Sequence, residues 1–351
     1  MSDADPLKFS CPVPTGEPDR ILLGHGSGGR LSRRLLETVF LAGLGNPILA
    51  RLEDQATLEV NGLRLAFTTD SFVVKPLFFP GGDIGSLAVH GTVNDLAVGG
   101  AQPLALSAAF VIEEGFPRND LVRVVASMRR AAAAVAVPVV PGDTKVVERG
   151  AADGLFVNTS GLGLVREGTD LSAARARPGD AVLVSGTIGD HGIAVLAARD
   201  ELGFGADVTS DSAPLHGLAS ALLERCPDAR CLRDPTRGGL ASTLHEIADS
   251  SGVTVELDEE AIPIRPPVEA ACELYGLDPL YVANEGKLVA IVPGERAEAA
   301  LAALRAHPLG RDAARIGRVV PRAEVPVVLR TRLGTTRVVE MLAGEQLPRI
   351  C

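Results

Sequence analysis

Asn61-Gly62 sits between two runs of strand-forming residues, 56–60 and 63–69. An Asn-Gly pair there signals a type I′ hairpin, because both residues tolerate the positive φ that the turn demands. A two-residue hairpin joins strands antiparallel, so this half of the chain is not built from parallel crossover units alone. Further strand signals follow at 104–112, 137–140 and 156–165, and helix signals at 31–44, from 84 to Gly99-Gly100, and at 118–136. The second half repeats the mixture. Strands are expected at 182–186, 253–257, 289–292, 316–320 and 327–329. Helices are expected after Gly192, at 214–225, from Gly238 to about 250, at 266–275 and at 297–306. The expected fold class is α+β: mostly antiparallel sheets covered by helices, in two domains. The 351 residues are enough for two separate cores. The reading divides them into an arm at 1–20, domains at 21–166 and 177–342, and a tail at 343–351 with no periodic pattern.

Composition removes several function classes. A net charge of −10 argues against nonspecific binding of nucleic acid or anionic membrane. The five cysteines, Cys11, Cys226, Cys231, Cys272 and Cys351, are scattered and form no paired C-x-x-C set. The first residues lack a basic-then-apolar leader pattern, and no apolar run is long enough to span a bilayer, so the cytoplasm is the expected compartment. The sequence has no G-x-x-x-x-G-K-[ST], no G-x-S-x-G and no H-E-x-x-H.

The residues that carry chemistry are carboxylates, glycines, a lysine and one thiol. Gly24-His25-Gly26-Ser27-Gly28-Gly29 precedes a helix and fits G-x-G-x-x-G, a pattern whose backbone N–H groups can meet phosphate. Asp70 lies at the end of a strand signal, where it could meet a metal or cap a turn. Asn94 and Asp95 interrupt an apolar helix, and a carboxylate there is costly unless paired or metal-bound. Asp143-Thr144-Lys145 follows Pro141-Gly142 at a strand end, a setting for one metal ligand and one phosphate contact. Asp190 reads as a cap, and His191 as either catalytic or capping. Asp234, before Gly238-Gly239, is a fourth candidate ligand. Glu285 and Lys287 near a strand edge read as solvated charges unless a site claims them. The chain ends Pro348-Arg349-Ile350-Cys351. A thiol tethered on one side can travel between a partner and an active site, and once ionised it can carry an acyl-type group. Prenylation would need the cysteine fourth from the end.

Eight of these stretches, in order, resemble the HypE family of hydrogenase maturation factors: GHGSGG, TTDSFVV, HGTVNDLAVGGAQP, VPVVPGDTKVV, GTIGDHGIAVL, LRDPTRGGLA, NEGKLV and the final PRIC. Fewer blocks are shared with the wider superfamily of aminoimidazole ribonucleotide synthetase, selenophosphate synthetase and thiamine-monophosphate kinase. The resemblance implies a homodimer whose N-terminal domains pair into a β-barrel, with ATP in a nearby cleft. It implies a carbamoyl dehydratase that converts an S-carbamoyl group on Cys351 to a thiocyanate at the expense of ATP. The carbamoyl group would come from the HypF carbamoyltransferase. The cyano group would leave through the HypC–HypD complex to the iron of a nickel–iron hydrogenase. Carried onto this sequence, Asp70, Asp95, Asp143 and Asp234 would hold Mg²⁺. Gly26, Ser27, Gly28, Gly29, Asn94, Thr144 and Lys145 would bind ATP. Lys145 would also stabilise the transferring phosphoryl, Glu285 would act as base, and His191 could assist. The alternative is a small-molecule ATP-dependent synthetase or kinase of the same superfamily.

Overall fold

The computed structural model describes residues 20–199 and 207–344. Cys11 and Cys351 lie outside them, as do nearly all of the expected arm and most of the expected tail. The glycine loop contains a 3₁₀ turn, Leu23–Gly26, and leads into α1 (Arg30–Leu35). That helix widens into π-type turns over Leu36–Leu41 and closes as α2 (Ala42–Leu44).

The described residues form two large sheets. The first contains β1 (Ala56–Val60), β2 (Leu63–Phe72), β5 (Ala101–Glu113), β6 (Val139–Val147) and β7 (Leu155–Val165), in the order β1-β2-β7-β5-β6. A short ladder of β3 (Phe78–Phe79) and β4 (Gly82–Asp83) precedes the helix α3 (Ile84–Val98). The β1–β2 hairpin is antiparallel with Val60 opposite Leu63, and Asn61 and Gly62 have φ of 51° and 80°. This is the turn that the Asn-Gly pair predicts. Only β5–β6 pairs in parallel within this sheet, and the helix α4 (Arg118–Ala134) makes that crossover.

α3 is apolar nearly all round, and the fold uses every face. Asp83 caps it by accepting from the N–H groups of Gly85 and Ser86. Ile84, Leu87, Ala88 and Val93 pack with Phe72, Leu106 and Val157 of the first sheet. Ala97 and Val98 pack instead with Leu183, Leu215 and Leu218 of the second half. A helix without a polar face belongs between two layers.

The second sheet contains β8 (Ala181–Val184), β9 (Cys231–Arg233), β10 (Val253–Asp258), β11 (Val289–Val292), β12 (Ala314–Pro321), β13 (Val327–Arg330) and β14 (Thr336–Val338). Its order is β14-β13-β10-β12-β8-β11-β9, and only β10–β13 is parallel. Its helices are α5 (Asp190–Ala198), α6 (His216–Arg225), α7 (Gly239–Ser251), α8 (Pro266–Tyr275) and α9 (Ala297–Ala306). The uninterrupted apolar runs of β8 and β11 have a clear reason. Val182, Val184, Val289 and Ile291 enter one core with Leu240 and Leu244 of α7, while Leu183, Ala290 and Val292 enter another with α6 and α9. Alternate side chains thus fill two cores on opposite faces. The fold is the expected one: mixed α and β, mostly antiparallel, with helices over the sheets.

Candidate active site

Four carboxylates from four separate segments meet between the two sheets. Asp70 comes from β2, and its Oδ2 lies 3.7 Å from where a Cβ on Gly91 of α3 would stand. Asp95 comes from the last turn of α3 and accepts a 2.6 Å hydrogen bond from the Thr68 hydroxyl. Asp234 directly follows β9 and is 9 % exposed, and Glu285 lies in the bend before β11 and is 2 % exposed. Burial is the main reason why all four resist ionisation, and they reinforce one another. Burial pushes Asp95 well up, helped by the charges of Asp234, Asp70 and Asp54. Asp234 is pushed up to about 6, with Arg233 opposing the rise. Asp70 is raised by burial against the pull of Arg237. Glu285 is raised well above the usual range by burial and then by Asp234, Asp70 and Asp211. Such a concentration of buried negative charge has a cost that a bound cation would offset.

The glycine loop closes one side of this cluster. Gly28 has φ of 76°, and a Cβ there would lie 2.6 Å from the carbonyl oxygen of Arg237. Gly238 has φ of 77°, and a Cβ on it would lie 3.2 Å from the Gly28 carbonyl oxygen. Each segment therefore needs glycine for backbone conformation and for close approach. Arg237 Nη1 donates to the Gly26 carbonyl at 3.2 Å, and Ser27 Oγ donates to that of Gly24 at 2.8 Å. The end of the described chain crosses at the same place. Arg30 N donates to the Leu342 carbonyl at 2.8 Å, and a Cβ on Gly29 would lie 2.2 Å from that oxygen. A cavity of about 580 Å³ opens here, lined by the loop, by α1, by Asp54 and Thr68, and by Arg233, Arg237 and Met341.

Residues 52–165 match the family AIR synthase related protein, N-terminal domain, and residues 177–330 match its C-terminal domain. Carbamoyl dehydratase HypE of Azotobacter vinelandii is 58% identical over 327 residues, which are 93% of this chain and 96% of that protein. The chain belongs to the HypE family of carbamoyl dehydratases. A solved structure of the hydrogenase maturation protein HypE in complex with ATP is 53% identical, with a TM-score of 0.79, over 95% of this chain and 100% of that one. A HypE–HypF complex gives a TM-score of 0.83 at 50% identity, over 88% of this chain and 99% of that one.

Several residues stand differently from the sequence reading. In this HypE-family chain β2 runs on to Phe72, so Asp70 lies inside the strand, opposite Thr159. β6 is one strand across Val139–Val147, so Asp143, Thr144 and Lys145 lie on a sheet edge and not in a turn. Register places Ser71, Asn158, Ala109 and Asp143 in one row across β2, β7, β5 and β6. At roughly 4.8 Å per strand, Asp143 is about 14 Å from Ser71, on the face opposite Asp70. It forms an exposed 2.8 Å ion pair with Lys145 and accepts from Thr144 N at 2.9 Å, contacts that hold its carboxyl below the usual range. Within one chain these three residues do not join the acid cluster.

Asn94 is buried and committed to protein contacts. Its Nδ2 donates to the carbonyls of Ala213 and Glu285, each at 3.1 Å, and its Oδ1 accepts from Leu215 N at 2.7 Å. It therefore ties α3 to the second half, with both amide protons committed to protein carbonyls. His191 is fully buried, lies 2.8 Å from Ser210 Oγ through Nδ1 and meets the Phe79 ring edge-on. It joins α5 to β3 and to Ser210. Glu285 is the reverse case: a charge expected at a solvated edge is enclosed.

Asp54, Arg233 and Arg237 also line the cavity, although no local motif announces them. Arg233 pairs with Asp54 at 3.1 Å and with Glu53 and Glu246, and it donates to the Leu52 carbonyl at 3.1 Å. Arg237 is the cation that favours the charged forms of Asp70 and Glu285 and opposes the rise that burial causes. Both arginines flank Asp234 in LRDPTRGG, so alternating charge around a buried aspartate was the available signal. Among the described residues no three His, Cys, Asp or Glu side chains form a ready-made metal cage.

Proposed function

We propose that this chain dehydrates an S-carbamoyl group on its own Cys351 to a thiocyanate, using ATP, and so supplies cyanide for the iron of a nickel–iron hydrogenase. The observation that carries this reading is a cavity lined by the glycine loop and the end of the described chain, with the buried acid cluster just behind Thr68, Arg233 and Arg237 of its wall. From Gly344 seven residues remain, and a fully extended run of that length reaches roughly 24 Å. Cys351 can therefore be presented in the cleft or held well clear of it. The three described cysteines are buried and unbridged. Burial pushes the thiols of Cys226 and Cys272 up to about 12 and about 11, and that of Cys231 further still. Such thiols are poor competitors for an acyl-type group.

The chemistry is phosphoryl transfer followed by elimination. The carbamoyl oxygen attacks the γ-phosphorus of ATP and one nitrogen proton leaves, giving an O-phosphorylated imidate and ADP. The second nitrogen proton then leaves, the C–O bond breaks, and phosphate departs as S–C≡N forms. Phosphoryl transfer needs positioning and charge neutralisation more than covalent help. Asp70, Asp95 and Asp234 suit Mg²⁺, because they are hard oxygen donors and their mutual repulsion favours a cation. An open set also suits Mg²⁺, which keeps waters and takes phosphate oxygens as partners. Bound there, Mg²⁺ would supply charge neutralisation at the phosphates. The glycine loop offers backbone N–H groups to the nucleotide. Glu285, whose affinity for protons burial raises well above the usual carboxylate range, is the base for the carbamoyl nitrogen.

Lys145 and Asp143 enter through a second copy of the chain. Leu58, Val60, Leu63, Phe67 and Leu162 are all exposed, and register puts them on the same face of the first sheet as Asp143 and Lys145. An apolar face of this kind favours a partner, and a homodimer would carry one chain's β6 towards the other's cleft. A HypF-type carbamoyltransferase is the proposed donor, HypC–HypD the proposed acceptor and the cytoplasm the proposed compartment. The test is phosphate release from protein carbamoylated at Cys351. One phosphate per cyano group formed is expected, and none above background with Cys351→Ala. ATP turnover unaffected by that substitution would favour a small-molecule substrate instead.

A further inference from the structure

Glu285 lies in a bend, where no sheet ladder holds its backbone. Its peptide groups are held by side chains from elsewhere. Its N–H donates to Asp211 Oδ1 at 3.1 Å, and its carbonyl accepts from Asn94 Nδ2 at 3.1 Å. The next residue fits closely against the same segment, since a Cβ on Gly286 would lie 1.8 Å from the Asp211 carbonyl oxygen. Asp211 itself is well fixed. Its side chain is 4 % exposed, and Oδ2 pairs with Lys287 Nζ at 3.1 Å. The residues beside it are tied to both halves of the molecule. Ser210 N donates to the Pro80 carbonyl at 2.8 Å, and Ser210 Oγ lies 2.8 Å from His191 Nδ1. Ser212 Oγ lies 3.0 Å from His90 Nδ1 of α3. Residues 210–213 thus form a strap across the junction, with Asp211 under the backbone of Glu285.

We infer that Asp211 is a positioning residue for the dehydration step: its Oδ1, accepting the Glu285 N–H, sets where the Glu285 carboxyl stands in the cleft. A carboxylate is suited to this because a charged acceptor makes a stronger hydrogen bond to a peptide N–H than a neutral one does. Lys287 sets a positive charge against this buried carboxylate. Glu285 has two backbone groups fixed from two directions, and a general base needs that precision, since an error of about 1 Å can cost about a hundredfold in rate.

The inference rests on Glu285 acting as the base, and a double-mutant cycle separates the two claims. The readout is the single-turnover rate of cyano formation on full-length carbamoylated protein with saturating MgATP, beside the KM for ATP and Tm. Asp211→Ala removes the acceptor and Asp211→Glu displaces it, whereas Asp211→Asn keeps an acceptor oxygen in place. Asp211→Ala and Asp211→Glu are expected to slow the step at least about tenfold with the KM for ATP within about twofold of wild type, and Asp211→Asn by about threefold or less. In a Glu285→Gln background the same changes should cost less than about twofold, because the residue they position is already gone. Additive losses in both backgrounds, or a loss with Asp211→Asn as large as with Asp211→Ala, would overturn the inference. Should Asp211→Ala not fold, Asp211→Glu carries the cycle. A wild-type rate for Glu285→Gln alone would instead remove the base assignment, and the positioning role with it.

Discussion

Asp234 joins stability to function at a single side chain. In the unfolded chain an aspartate titrates near ~3.9, while in the fold burial lifts this one to about 6. The sign follows from which state binds the proton more tightly. Below about pH 4 both states are protonated and Asp234 contributes nothing. Between about 4 and 6 the unfolded state ionises first, so stability falls as pH rises, and above that window the penalty is constant. Asp234→Asn is therefore expected to stabilise the nucleotide-free protein at pH 7.5 by up to about 3 kcal/mol, seen as a higher Tm. That gain should disappear as the pH is lowered to 4. The same variant should lose most of the Tm rise that MgATP gives the wild type. A lower Tm without nucleotide, or an undiminished response to MgATP, would contradict the placement of Asp234 in the site.

At the level of elements, the glycine loop and the turn before α7 act as one unit, with Gly28 against Arg237 and Gly238 against Gly28. Gly28→Ala introduces both a clash and a strained φ, a local cost of about 1–3 kcal/mol. It should raise the KM for ATP roughly tenfold with a smaller effect on Tm, as measured by nucleotide titration and thermal melting. The sequence made much of this architecture legible. The Asn61-Gly62 turn, the apolar runs of β8 and β11, and the carboxylate in the apolar α3 each carry a local signal. What stayed hidden depends on distant partners. Pro141-Gly142 suggests a short strand and a turn because the pair normally breaks a ladder; here the segment pairs with β5 on one side only, and an edge strand tolerates proline. The local pattern around Glu285 suggests a solvated charge, since nothing within its own stretch announces the strap at 210–213, and the resemblance alone points to a role as base. The resemblance assigns Asn94 to ATP beside its neighbour Asp95. One position along a helix turns a side chain by roughly 100°, and that takes Asn94 to the strap instead.

At the scale of the molecule, α3 and the strap join two sheets into one cleft, and the exposed face of the first sheet leaves room for a second copy. If Lys145 serves the cleft of a partner chain, two inactive variants should complement each other. Lys145→Ala and Asp234→Asn, mixed under conditions of subunit exchange, should recover about a quarter of wild-type turnover, because half the dimers are mixed and each has one intact site. Each variant alone should be inactive, and no recovery on mixing would place Lys145 outside a shared site. The most direct test of the whole account is the mass of the intact chain. Protein loaded by a HypF-type carbamoyltransferase should carry one carbamoyl group on Cys351, and on adding MgATP that adduct should lose the mass of one water and become a cyano group on the same sulfur. An adduct that maps to another cysteine, or one that loses water equally well without ATP, would contradict it.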